Sequence, residues 1–86
     1  MADPKTFEEA MLLLKTLPEQ RPDVLLKMYG LYKQATLGDV TGKRPGMLDF
    51  RGQAKYDAWA EFKGQTTDQA KAAYVAYVEE LVKANS

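Results

Sequence analysis

Residues 37 to 50, LGDVTGKRPGMLDF, lie between two helical stripes and carry three glycines and a proline, so they do not continue either helix. A connection this long is far above the usual four to six residues. Fully extended, fourteen residues reach ~46 Å, whereas a helix of that length spans only ~21 Å. The chain is therefore able to run back along the whole preceding helix and start the next one parallel to it, where a short turn forces antiparallel neighbours.

Four segments show the 3.6-residue apolar period and none alternates as a strand does. The first runs over about 4–16, with Asp3–Pro4 as one start signal and Thr6 with Glu9 as a competing capping box. Its stripe is Phe7, Ala10, Met11 and Leu14, and Leu12 and Leu13 widen it beyond one packing face. The turn LPEQRP leads to a second helix over 23–36 with Asp23 as cap and a stripe of Leu25, Met28, Tyr29, Tyr32 and Ala35 or Thr36. The third covers 51–63, turns Tyr56, Trp59, Ala60 and Phe62 one way, and stops at Gly64, which suits a left-handed C-terminal cap. Thr66 and Gln69 make a capping box for the fourth, 67–84, with stripe Ala70, Tyr74, Tyr77, Val78 and Leu81. With one long and two short connections, the expected architecture is an all-α four-helix bundle of order up, down, down, up, with a long crossover between helices 2 and 3. Its 86 residues make a single domain, 1–86, in which a ligand groove must be open and shallow.

Composition removes several function classes. There is no histidine or cysteine and the only serine is Ser86, so hydrolytic triads, thiolate chemistry and Cys- or His-based zinc sites fall away. GDVTGK, residues 38–43, looks like a phosphate loop but has three residues between its glycines and Arg44 where Ser or Thr is required. Adjacent acids such as Glu8–Glu9 and Glu79–Glu80 diverge on a helix. No catalysis and no metal are expected. A formal charge of zero gives nucleic acid no general attraction. The N-terminal MADPKTFEEAMLLL has acids where a signal peptide has bases, and its apolar run is too short to span a bilayer, so the expected location is cytoplasmic, without stable membrane insertion.

Charge is unevenly spread. Between Lys27 and Lys63 seven basic residues face four acidic ones, a balance that suits a small anion. Three helices carry tyrosine beside their stripes, and two carry lysine at the stripe's edge. Lysine partners phosphate and tyrosine offers a hydroxyl and a stacking face, so a ligand with phosphates, a purine and an apolar tail would use the whole set. Core tyrosines with solvated lysines are the plain alternative.

The texts YGLYKQATLGD, RPGMLDF and GQAKYDAW, within residues 29–59, resemble the acyl-CoA-binding protein family. Phe7, Ala10, Lys15 and Leu17 suit that family's first helix and KAAYVAYVEEL its last. The resemblance implies a four-helix bundle of this topology and non-catalytic binding of medium- and long-chain acyl-CoA, with no cofactor and as a monomer. It implies that Tyr29, Lys33 and Lys55 hold the CoA 3′-phosphate, that Tyr32 packs on adenine, and that Tyr74 completes that end. Lys15 and Arg51 match basic positions that contribute in relatives, Arg51 replacing the usual lysine. RPGMLDF is expected to be scaffold for the crossover, and the leucine-rich MLLL with the shortened LPEQRPDV turn to lie where relatives shelter the acyl chain. Tyr56 stands where many relatives have tryptophan. The rival from another class is a helical interaction module that uses the Met11–Leu14 surface to hold a partner helix.

Overall fold

A computed structural model describes residues 6–85. It contains α1 (Phe7–Thr16), α2 (Pro22–Leu37), α3 (Phe50–Ala60) and α4 (Thr67–Ala84), with no strand among the described residues. The Asp3–Pro4 start signal lies outside them. Thr6 caps α1, its hydroxyl accepting the Glu9 N–H at 3.1 Å. The capping box of α4 is reciprocal: the Thr66 hydroxyl accepts the Gln69 N–H and the Gln69 side chain accepts the Thr66 N–H.

Two helix ends differ from expectation. α2 begins at Pro22, not after an Asp23 cap; Pro22 has no N–H to satisfy and takes the first helical position, while Asp23 sits in the first turn and pairs with Arg21 at 3.2 Å. α3 ends at Ala60, and residues 61–64 form turns that close on Gly64 at φ 97°. The left-handed glycine is where the sequence places it, one turn beyond the helix proper.

Cross-chain contacts fix the topology. Tyr29 meets Lys55, Lys33 meets Trp59, and Asp39 meets Gly64. Numbers rise together along both partners, so α2 and α3 are parallel, as the long crossover permits. Lys27 meets Tyr77 whereas Gln34 reaches Gln65 just before α4, so α4 runs antiparallel to α2. Phe7 stacks on Tyr32 while the five-residue turn joins Thr16 to Pro22, which sets α1 antiparallel to α2. The order is up, down, down, up.

The core comprises Phe7 and Ala10 of α1, Met28, Leu31 and Ala35 of α2, and Ala70, Tyr74, Val78, Leu81 and Val82 of α4. This keeps Met28 and Ala35 of the stripe expected for α2, adds Leu31, and corrects the rest. Met28, Leu31 and Ala35 face inward, while Leu25 and Tyr32 are exposed and Tyr29 is half-buried. The 25/29/32/36 series is a second face, on which Tyr29 meets Lys55 of α3 and Tyr32 stacks on Phe7 at the edge of the core. α2 packs on α3 and α4, and α1 packs on α4; only side chains bridge α1 to α2, which leaves a trough between those helices.

The crossover is tied down by its own polar groups. Arg44 grips the Asp57 carboxylate with two 2.9 Å hydrogen bonds, Tyr56 donates to the Gly42 carbonyl, Gln53 to that of Pro45, and Trp59 Nε1–H to that of Gly38 at 2.7 Å. Asp49 caps α3 by accepting the Gly52 N–H. RPGMLDF is thus scaffold through Arg44, Pro45 and Asp49 only; Met47, Leu48 and Phe50 project into solvent.

Candidate functional site

The outer face of α2 meets α3 in a cluster of two ammonium groups and two aromatic rings. Lys33 Nζ lies 5.9 Å from the centre of the Tyr29 ring and 5.0 Å from that of Trp59. Lys55 Nζ approaches the same Tyr29 ring at 5.5 Å. The parallel pairing of α2 and α3 produces this convergence, because it sets the third turn of one helix beside the second turn of the other. Neither lysine has a carboxylate within ion-pair distance among the described residues. Their charges rest on aromatic faces, contacts worth about 0.5–1 kcal/mol at exposed sites, which a phosphate exceeds with charge-assisted hydrogen bonds.

Beside this cluster, the trough between α1 and α2 holds an open groove of about 510 Å³, lined by Met11, Leu12 and Leu14 on α1, Tyr32 on α2 and Tyr74 on α4, with Glu8 and Lys15 at its polar edge. Phe7 forms its backing, stacked on Tyr32 at 6.1 Å and edge-on to Tyr74 at 4.9 Å. Tyr32 is 41% exposed, so it offers a ring face to the groove. Tyr74 is buried, and burial first, then the neighbouring Tyr32, pushes its phenol pKa up, which keeps it a neutral hydroxyl. The extra leucines of α1 therefore have a use: Leu13 packs on the core and Leu12 stays exposed on the groove.

The structure thus brings Tyr29, Lys33 and Lys55 together, and places Tyr32, Tyr74 and Lys15 on the adjoining groove. Arg51 is exposed in the first turn of α3, one turn before Lys55, and no contact joins it to the cluster. Trp59 and Phe7, which the helical stripes mark as packing residues, also border the site: Trp59 lies under Lys33 and Phe7 against Tyr32 and Tyr74. Lysine four residues before Trp59 was a visible signal for the first; nothing in the local sequence marks Phe7 as the backing of Tyr32.

A polar latch holds the far end of α2. Gln34 is fully buried; its Nε2 donates to Asp39 Oδ1 at 2.9 Å and to the Gln65 carbonyl at 2.7 Å, and Gly64 N–H donates to the same Asp39 oxygen. These bonds, that from Gly64 first, lower the Asp39 pKa from its usual 3.8. A carboxylate depressed in the folded state stabilises above its unfolded pKa, and that contribution is lost as pH falls through the folded value. Asp39→Asn is therefore expected to flatten the acid limb of stability, read as melting temperature from neutral pH to below the usual aspartate pKa. An unchanged slope would remove Asp39 from the latch.

Fold and site together define a small α-helical binding protein. Residues 4–78 match the sequence model of the acyl CoA binding protein family, and the chain belongs to that family. It is 50% identical over 78 residues to acyl-CoA-binding protein homolog 1 of Caenorhabditis elegans, covering 90% of this chain and 91% of the relative. The crystal structure of Oryza sativa acyl-CoA-binding protein 2 superposes with a TM-score of 0.87 at 40% identity, covering 91% of this chain and 88% of that one. That of the protein from Moniliophthora perniciosa gives 0.85 at 36% identity, covering 93% and 80%. These relatives are named as binding proteins, not enzymes. No helix among the described residues is long and apolar enough to cross a membrane.

Proposed function

We propose that the whole chain, as a monomer in the cytoplasm, binds medium- and long-chain acyl-CoA esters without catalysis and buffers and carries them. The observation that carries the reading is the pair of ammonium groups, Lys33 and Lys55, set on one tyrosine ring with no carboxylate in ion-pair distance among the described residues. The 3′-phosphate takes those two charges with Tyr29, adenine lies on the Tyr32 face with Tyr74 behind, and Lys15 and Arg51 add positive potential at the borders. The apolar wall of Met11, Leu12 and Leu14 offers shelter for the acyl tail. Each buried methylene contributes about 0.8 kcal/mol, so a dozen supply on the order of 10 kcal/mol before the costs of association. Head contacts then select the ester over a free fatty acid.

Calorimetric titration with palmitoyl-CoA, against CoA and palmitate, tests this. Tight 1:1 binding of the ester with weak responses to both controls is expected. No heat with the ester, and no competition by it, overturns the reading and leaves the apolar α1 surface to a partner helix.

A further inference from the structure

We propose that the trough between α3 and α4 docks an amphipathic helix of another protein, one with an apolar face and a basic residue toward each end. α3 and α4 each pack on α2 and not on one another, so a strip of α2 is left as the floor between them. Open hollows of about 410 and 270 Å³ meet at Lys27 along this strip. Around α2, Lys27 stands about 140° from Tyr32, at about 100° per residue. A protein held in the trough therefore leaves the groove that Tyr32 borders accessible.

Helical register builds the walls. Ala54, Asp57, Ala58 and Glu61 line one side, and Ala73, Ala76, Tyr77 and Glu80 the other. Each row is spaced i, i+3, i+4, i+7, which is one face of a helix. The four alanines let an incoming helix approach closely, since interaxial distance follows the side chains at the contact. Leu26 and Leu31 on the floor, with Phe62 beside them, supply apolar surface. One end is closed by the 61–66 turn, which Gln34 holds through the Gln65 carbonyl.

Charge decides between occupants. Asp23, Asp57, Glu61 and Glu80 line the trough against one base, Lys27. Asp23 and Asp57 already hold Arg21 and Arg44, but Glu61 and Glu80 have no ion pair among the described residues. Lys27 is turned onto the Tyr77 ring, its ammonium 4.3 Å from the centre. Burial first, then the charges of Asp23 and Glu80, pushes the Tyr77 phenol pKa up, so negative potential reaches the trough wall. α3 and α4 run antiparallel, so Glu61 and Glu80 stand at opposite ends. Anionic lipid, nucleic acid and the phosphates of a CoA ester are repelled by this rim. An apolar helix with a base toward each end is matched to it, as helix-in-groove recognition requires. The inference stands apart from ester binding, since it requires no ligand on the other side of α2.

The probe is a synthetic peptide of about 18 residues, long enough to hold a helix, with leucine and alanine on one face and lysine toward both ends. The same peptide with glutamate for lysine is the control. Titrated into the isotope-labelled full chain, the lysine peptide is expected to shift the amide resonances of Lys27, Ala58 and Ala76 saturably. Those of Met11 and Leu12 are expected to stay in place. Affinity is expected to fall at raised salt, and the glutamate peptide to bind far more weakly. Glu61→Gln/Glu80→Gln and, separately, Ala76→Arg are each expected to raise the Kd by about threefold or more. All three side chains are exposed, so unchanged helical circular dichroism accompanies the loss. No saturable shift in the trough, equal binding of the glutamate peptide, or unaltered affinity in both variants overturns the proposal. So do shifts at Met11 and Leu12 instead, which place the peptide in the opposite groove. Self-association of the peptide-free chain that Ala76→Arg abolishes also overturns it, by giving the trough to a second copy.

Discussion

Lys33→Ala is expected to lower the affinity for palmitoyl-CoA by about tenfold or more, with helical circular dichroism unchanged. A hydrogen bond to a charged group is worth about 1.5–3 kcal/mol, and 1.4 kcal/mol is tenfold in affinity. What the free protein loses with Lys33 is small: its ammonium rests on Tyr29 and Trp59 and bridges no carboxylate among the described residues, and alanine is the better helix former. The substitution therefore acts on the complex far more than on the fold. Lys55→Ala is expected to act in the same direction, because its ammonium shares the Tyr29 ring. The ligand supplies the second arm of a cycle. Against 3′-dephospho-palmitoyl-CoA the wild type is expected to bind more weakly, and either substitution to cost much less than against the full ester. If the dephospho ester loses as much as the full one, the lysines serve a group other than that phosphate, and the clamp must be reassigned.

The fold was legible where one chemical signal decides one local structure. Thr66 and Gln69, Gly64 with its positive φ, and the length of residues 37–50 each act through backbone hydrogen bonds or chain reach, and the structure bears all three out. The α2 stripe was not legible in this way. Periodicity places Leu25, Tyr29 and Tyr32 on one face, but two apolar faces share this helix, and only the packing of α4 against Met28, Leu31 and Ala35 decides which is the core. The ambiguity has a packing cause, since α2 lies against both α3 and α4 and must present a face to each. Gln34 illustrates a different limit. A glutamine between Lys33 and Ala35 reads as surface, yet it is fully buried, with its amide N–H groups bonded to Asp39 and to the Gln65 carbonyl while its Oε1 has no partner among the described residues; local sequence does not place Gln65, 31 residues on, beside it. Gly30 was passed over for the same reason: its role depends on a helix 28 residues further along the chain.

At Gly30, α2 and α3 approach so closely that a Cβ would lie 2.7 Å from the Ala58 carbonyl carbon and 2.8 Å from Phe62 Cε2. Two effects of Gly30→Ala oppose one another. In a helix interior, alanine gains up to about 1 kcal/mol over glycine. Against this, forcing a methyl group into a closed contact costs typically 1–3 kcal/mol and at times more. Phe62 has rotatable bonds through which to retreat, but Ala58 meets the methyl with its backbone, so relief requires α3 to move as a body. The overpacking cost dominates, and Gly30→Ala is expected to destabilise the bundle by about 2 kcal/mol, a large share of the roughly 4–13 kcal/mol typical of a chain this long. Urea denaturation reads this as a lower midpoint at unchanged slope. Since α3 carries Lys55 and Trp59, its displacement also separates the lysines around Tyr29, so ester affinity falls in molecules that remain folded. A variant as stable as the wild type, with full ester affinity, would mean that α3 slides without cost, and that the close helix contact does not set the spacing of the clamp.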